Sequence, residues 1–336
     1  MDRTAPLATG DLRPTQPTSS RGAAVPEPEA SFNIVDDVDG YTRSVAGVTV
    51  EAIRSGLGAG SNRVLTVEDE GLTFTASNIG FPLRTRTTIG DDQLVVGCVS
   101  AAPPGSRWCE FDLHADTVVA YGPGAEHTGI SLPGLRFEFA TVTVDRIGEL
   151  AARIESPLEL PASGQVQELT TAPNAGEVVS SMSELAAAAA NGRTSLQSVS
   201  DAVLVAMVLA LADRPVPARG PHMIDSRHVV HQCMDYANDV GRIPSMSELC
   251  LAGHVSERRL RKAFVDEFDL PPSRFFRDWA LTLAHERLRS ADGDRPTVTD
   301  IAFNLGFGHL GRFSAHYRQL HGEAPSTTRR SSLQAS

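Results

Sequence analysis

No two cysteines of this chain stand in C-x-x-C spacing; its four, Cys98, Cys109, Cys233 and Cys250, are scattered over 336 residues. That excludes a zinc ribbon or a disulfide framework and predicts reduced thiols in a core. Long apolar runs are also missing. The longest, Val203 to Ala212, falls well short of the ~20 residues a membrane helix needs, and no basic start followed by an apolar segment opens the chain. The expectation is a soluble, cytoplasmic protein. Signatures of common catalytic scaffolds are absent: there is no P-loop, no nucleophile elbow, and no G-x-G-x-x-G between a strand and a helix. Gly56-Leu57-Gly58-Ala59-Gly60 lacks that context and reads as a loop.

What the sequence does have is segregated charge. The formal net charge is −11, which taken whole argues against a polyanionic partner. From Gly241 to Arg330, however, 14 Lys and Arg stand against 11 Asp and Glu, leaving 16 against 30 elsewhere. The last part is net basic and able to neutralise phosphates, while the acidic remainder opposes non-specific collapse onto nucleic acid.

Composition divides the chain. Residues 1–30 are rich in Pro, Thr, Ser, Ala and Gly and read as a disordered tail. Residues 31–170 carry short, often β-branched runs at Ala46–Ile53, Val64–Val67, Leu72–Ser77, Leu94–Ser100, Trp108–Leu113, Thr117–Tyr121 and Leu135–Val144. Turn signals such as Gly90-Asp91-Asp92 and Pro103-Pro104-Gly105 separate them, so a β-rich sandwich or barrel is predicted. Over 177–213 the period becomes helical. Met182, Leu185, Ala186 and Ala189 space one helix, and Leu196, Val199, Val203, Met207 and Leu211 space a second. This pair either packs on its own β-domain or forms a dimerisation segment. A Pro-containing linker, 214–221, precedes a third, all-helical region at 222–330. Its first helix places His228 and His231 at i, i+3, a spacing that admits a metal but more simply marks an exposed face.

Within that region Thr297–Pro325 reads as helix, turn and helix. Thr299 is the predicted cap, Gly306 supplies a positive φ in the turn, and Leu310, Phe313, Tyr317 and Leu320 give the second helix a buried stripe. His309, Arg312, Ala315, His316 and Gln319 are left outward. The same grammar occurs upstream. Ser245–Ala252 leads through Gly253–Ser256 into a helix buried by Leu260, Ala263, Phe264 and Phe268, with Glu257, Arg258, Arg259, Arg261 and Lys262 outward. Four cations in five residues at the start of a second helix suit groove and phosphate contact. Between the two units Ser273–Arg289 reads as a strut, its stripe formed by Phe275, Phe276, Trp279, Leu283, Ala284 and Leu288. Such a strut would hold two readers about one DNA turn apart, roughly 34 Å.

Asp300-Ile301-Ala302, Gly306-Phe307, Phe313, Tyr317-Arg318, Gly322 and Pro325 resemble the signature of the second helix-turn-helix of AraC/XylS-type transcription regulators. The resemblance implies an α+β multidomain protein: an N-terminal β-rich cupin-like barrel, a helical linker, and a C-terminal all-α domain with two helix-turn-helix units. It also implies sequence-specific binding to double-stranded promoter DNA, activation near RNA polymerase, a homodimer, a possible small-molecule effector in the N-terminal domain, and no cofactor. By the resemblance Arg258, Arg261 and Lys262 fall where base- and phosphate-contacting residues lie; with Arg259, His309, Arg312, His316 and Arg318 they make up the expected DNA-binding set. Gly311 and Ala315 stand where relatives carry a polar residue and an arginine, which shifts the expected sequence reading to the first unit. Asp116–His127 looks like the Pro-Gly turn of cupin-like barrels. The alternative is a cupin-like metal-dependent enzyme with an appended helical domain. For that, His114 and His127 with Glu110, Asp112 and Glu126 are the available ligands, without an H-x-H.

Overall fold

In the computed structural model, residues 28–334 are described apart from 59, 70, 110, 192–195, 213–220 and 291–295. Most of the expected tail and linker, and Glu110, therefore lie outside the described residues. The described chain runs β1 (Glu29–Val35), α1 (Val38–Ser44), β2 (Thr49–Arg54), β3 (Asn62–Asp69), β4 (Leu72–Asn78), β5 (Leu83–Thr88) and β6 (Gln93–Ala101). There follow β7 (Arg107–Trp108), β8 (Phe111–Asp112), β9 (Val118–Tyr121), β10 (Glu126–Ser131), β11 (Arg136–Thr143), α2 (Val144–Arg153) and β12 (Val166–Glu168). The remainder is helical: α3 (Ala175–Asn191), α4 (Leu196–Leu211), α5 (Pro221–Val240), α6 (Met246–Ala252), α7 (Glu257–Phe268), α8 (Pro272–Arg289), α9 (Val298–Asn304), α10 (Leu310–His321) and α11 (Pro325–Gln334).

The strands form two sheets. One has seven strands in the order β1-β3-β4-β11-β6-β9-β12, the other five in the order β2-β5-β10-β7-β8. All described pairings are antiparallel. Among the described residues no pairing joins one sheet to the other, so the strands form two facing layers rather than one closed ring. Side-chain alternation explains the layering. Along β6, Val95 and Val99 point into the core between the sheets, where they meet Leu83, Trp108, Phe137 and Phe139. Leu94, Val96 and Cys98 point the other way. Because β6 is buried on both faces its sequence is an almost continuous apolar run, which is why it is legible.

That other face is covered by helices. Val178, Met182 and Leu185 of α3 and Val203, Met207 and Leu211 of α4 join Ile147 and Leu150 of α2 against the seven-stranded sheet. The apolar stripes predicted over 177–213 thus pack on their own β-domain. Cys98, Cys109 and Cys233 are buried, Cys250 is half-buried, and none of the four forms a disulfide. No helix among the described residues is long and apolar enough to cross a membrane.

Four strands escaped the reading by periodicity: β1, β5, β10 and β12. Their composition shows why. Strand β5 reads LRTRTT and β10 reads EHTGIS, with charge on one face and hydroxyl or imidazole groups on the other, so neither face carries an apolar signal. Strand β1 begins inside the residues expected to be a tail, at Glu29, and pairs with β3 from Glu29↔Glu68 to Val35↔Asn62.

The C-terminal helices bury two clusters. One joins α5, α6, α7 and the start of α8 around Leu260, Phe264, Phe268, Phe275 and Phe276. The other joins the end of α8 to α9 and α10 around Leu281, Leu288, Ile301, Phe313 and Tyr317. Trp279 packs against both, so α8 is one rigid rod shared by two cores. The face of α5 predicted to be exposed is divided: His228 is exposed, but His231 is buried. Its ring is taken by a partner that the local sequence does not contain.

Candidate nucleic-acid interface and the cavity behind it

Helices α6 and α7 form one angled pair, α9 and α10 another, and the local chemistry of the two is the same. Ser245 caps α6 and Glu248 completes the capping box; Thr297 and Asp300 do the same for α9. The predicted cap Thr299 lies inside α9 instead, two residues after the true one. Two hydroxyls were available, and the reciprocal bond from Asp300 selects the one three residues before it. The turn after α9 uses Gly306 at φ +91°. At the matching position after α6 the chain uses His254 at φ +50°, a left-handed conformation that a side chain disfavours.

Ser256 caps α7, accepting from the amide of Arg259. Leu260, Ala263, Phe264 and Phe268 turn inward, and Phe264 meets Phe275 and Phe276 of α8 with ring centroids 5.3 Å apart in each case. With that face held, Arg258, Arg259, Arg261 and Lys262 are exposed together on the other. Arg261 donates to Glu257 at 3.0 and 2.5 Å, and Lys262 pairs with Asp266 at 2.6 Å. These exposed i, i+4 pairs are worth a few tenths of a kcal/mol each and are easily exchanged for phosphate.

The second pair presents less. Phe313, Tyr317 and Leu320 are buried, as predicted, and the Tyr317 hydroxyl donates to Thr328 at 2.8 Å while lying 2.7 Å from His285 Nδ1. His309, Arg312 and Arg318 are exposed. Arg318 sits about 120° round the helix from Arg312 at ~100° per residue, so the two cannot enter one groove side by side. His316 is half-buried. It lines a cleft of about 450 Å³ with Arg274, Arg277 and Gln319, which Ser55 to Leu57 of the β2–β3 loop close from the other side. Burial, together with the charge of Arg277, lowers its pKa.

A second set of contacts, missed in the sequence, ties the β-domain to α5 and α7. Arg84 Nε donates to Phe268 O at 2.9 Å and Arg107 Nη2 to Asp266 O at 2.6 Å. Both acceptors belong to the last turn of α7, whose carbonyls have no partner further along the helix. Thr128 donates to Glu267, which is buried, with Arg227 3.9 Å from the same carboxylate. Glu126 accepts from buried His231 and from Arg86 at 3.2 Å, and Arg86 also pairs with Asp235 of α5. The bond from His231 leads the causes that pull the Glu126 carboxyl down to about 2. The one signal available in the sequence was the pair of arginines alternating with threonines in LRTRTT, two cations on one face of a strand.

Between the sheets lies a cavity of about 50 Å³. Trp108, Tyr121, His127, Phe137 and Phe139 supply rings, and Thr85, Thr87 and Ser131 supply hydroxyls. Tyr121 and His127 stack at 4.5 Å. His127, one of the two histidines considered as metal ligands, is thus part of an aromatic wall, and no group of three His, Cys, Asp or Glu among the described residues could hold a metal ion.

A family model described as a helix-turn-helix domain matches residues 249–331. The XylDLEGF operon transcriptional activator 1 of Pseudomonas putida is 33% identical over 86 residues, 26% of this chain and 26% of that protein. The probable thc operon regulatory protein of Rhodococcus erythropolis is 30% identical over 99 residues, 29% of this chain and 30% of its own length. A solved probable AraC family transcriptional regulator from Rhodopseudomonas palustris is 30% identical, with 96% of that chain and 31% of this one covered and a TM-score of 0.29. The chain spans about a quarter of the length of the Pseudomonas relative, and the similarity falls on the two helix pairs and the strut between them. By that matched segment, the chain belongs to the AraC/XylS family of transcription regulators.

Proposed function

We propose that this protein is a sequence-specific DNA-binding regulator in which the two helix pairs are helix-turn-helix units, α7 and α10 being their recognition helices. The observation that carries the reading is the exposure of Arg258, Arg259, Arg261 and Lys262 together on α7, while its opposite face is locked to α8. Arginine matches guanine O6 and N7 bidentately, and lysine matches phosphate as a point charge. With its cations split between two faces and His316 turned into a cleft, α10 chiefly positions the domain, through His309, Arg312 and Arg318.

In this reading 31–170 is a regulatory domain of cupin-like two-sheet architecture, its internal cavity the place for a small-molecule effector. Residues 177–213 provide a homodimer contact through their outward side, where Ser180, Ser183 and Ala187 are exposed; 214–221 is a linker and 222–330 reads DNA. The protein acts in the cytoplasm, as an activator beside RNA polymerase. Enrichment of the full chain's targets from a random duplex pool tests the core of this. A recurrent motif spanning two major-groove segments about one helical turn apart is expected. Failure to enrich any sequence over the starting pool overturns the reading.

A further inference from the structure

The cavity and the α7 docking surface are the two faces of one sheet. Along β5, Thr85 and Thr87 line the cavity while Arg84 and Arg86 hold the C-terminal helices. Along β7 the division is Trp108 inward and Arg107 outward. Along β10, His127 faces the cavity, and Glu126 and Thr128 face α5 and α7. The period of two leaves nothing between the cavity and the first candidate recognition helix except this single layer of backbone.

The two walls of the cavity differ in stiffness. Behind the seven-stranded wall lies an apolar core completed by α2, α3 and α4, close-packed and resistant to displacement. Behind the five-stranded wall lies a contact made of hydrogen bonds and ion pairs, in which, among the described residues, Ile53 is the one β-domain residue to enter the cluster of α5 to α8. The contacts of half-buried Arg84 and Arg107 with α7 are of the kind that exchanges for water at little net cost, whereas buried Glu267 and His231 keep their partners. At about 50 Å³ the cavity is far smaller than the roughly 150 Å³ that takes up a benzene ring. A ligand of that size enters only by moving a wall; Tyr41 of α1, Val45 and Val48 close the third side, and of the two sheets the softer is the one that grips α7.

We propose that the five-stranded sheet is a transmitting wall: an apolar, ring-bearing ligand in the cavity displaces it outward and loosens the hold of Arg84 and Arg107 on the last turn of α7. This rests on the cavity being the effector site. Ligand and docking then oppose one another, and by reciprocity whatever weakens docking tightens the ligand.

Indole serves as the probe, titrated calorimetrically into the full chain and into an Arg84→Ala/Arg107→Ala double variant. These residues lie outside the cavity, and unchanged circular dichroism and melting of the β-domain show that the variant is folded. The expected result is indole binding at least tenfold tighter in the double variant than in the parent. Val95→Phe, which fills the cavity from its rigid wall, is expected to abolish binding in both backgrounds. Equal affinity in parent and double variant overturns the transmitting wall while leaving the cavity as a ligand site. No binding in either, or binding that survives Val95→Phe, overturns both.

Discussion

Arg261 offers the sharpest separation between stability and recognition. Among the described residues it pairs with Glu257, one turn back on the same exposed face, at 3.0 and 2.5 Å. An exposed pair of this kind contributes roughly 0.3–0.5 kcal/mol, so Arg261→Ala should leave the fold within about 0.5 kcal/mol of its starting stability. A bidentate contact to guanine is worth about 1–3 kcal/mol of discrimination, equivalent to roughly 5- to 150-fold in affinity. The assay is fluorescence anisotropy on an enriched duplex and on a scrambled one, each at several salt concentrations. Arg261→Ala should weaken the enriched site and spare the scrambled one, and Arg261→Lys should restore little, because an ammonium is not a fork. Lys262→Ala should weaken both duplexes alike and lower the salt slope by about one. If Arg261→Ala leaves the ratio of specific to non-specific affinity unchanged while the helix content is intact, α7 does not read bases through this residue.

Three further perturbations follow from the geometry. Trp279 joins both helical clusters, so Trp279→Ala should lose about 3–5 kcal/mol in denaturant unfolding; separate transitions for the two halves, in place of one, would be its signature. The left-handed turn positions should respond in opposite directions: Gly306→Ala should destabilise and His254→Gly stabilise, each by about 1 kcal/mol, and thermal melts moving the same way for both would refute the argument. Glu286, half-buried, has its carboxyl pushed up to about 7, by burial first and then by Asp39 and Asp37. Its contribution is therefore fully present below the unfolded value near 4.5 and is lost as pH rises through about 7. Burial lowers His285 to about 4 and His321 to about 2. Their contribution is present above the unfolded value near 6.5 and is lost as pH falls toward those values, which opposes Glu286 between about pH 4.5 and 6.5. The comparison with Glu286→Gln isolates the carboxylate. At pH 8 the variant should be more stable by about 1–2 kcal/mol, after discounting the shift for solvent screening, and the advantage should vanish at pH 5.

Much of this protein was legible because helices and doubly buried strands write their environment into local spacing. Leu260, Phe264 and Phe268 recur at i, i+4 and i+8, and β6 is apolar on both faces; either pattern can be read without knowing its partner. The AraC/XylS-type resemblance likewise rests on residues of one contiguous segment, from Asp300 to Pro325. Other features depended on partners far away in the chain. Periodicity could not find β5 or β10, because each meets hydroxyl-lined cavity on one side and polar helix on the other, so neither side demands an apolar residue. His231 looked exposed because Glu126, its partner, lies about a hundred residues earlier and arrives only when the sheet docks. The sequence by itself determined the two helix pairs, the strut and the exposed cationic face of α7, since each follows from contacts within a few turns. Only the tertiary structure decided that α3 and α4 cover a sheet, and that one layer of strands stands between a cavity and helix α7, because both depend on which surfaces distant segments bring together.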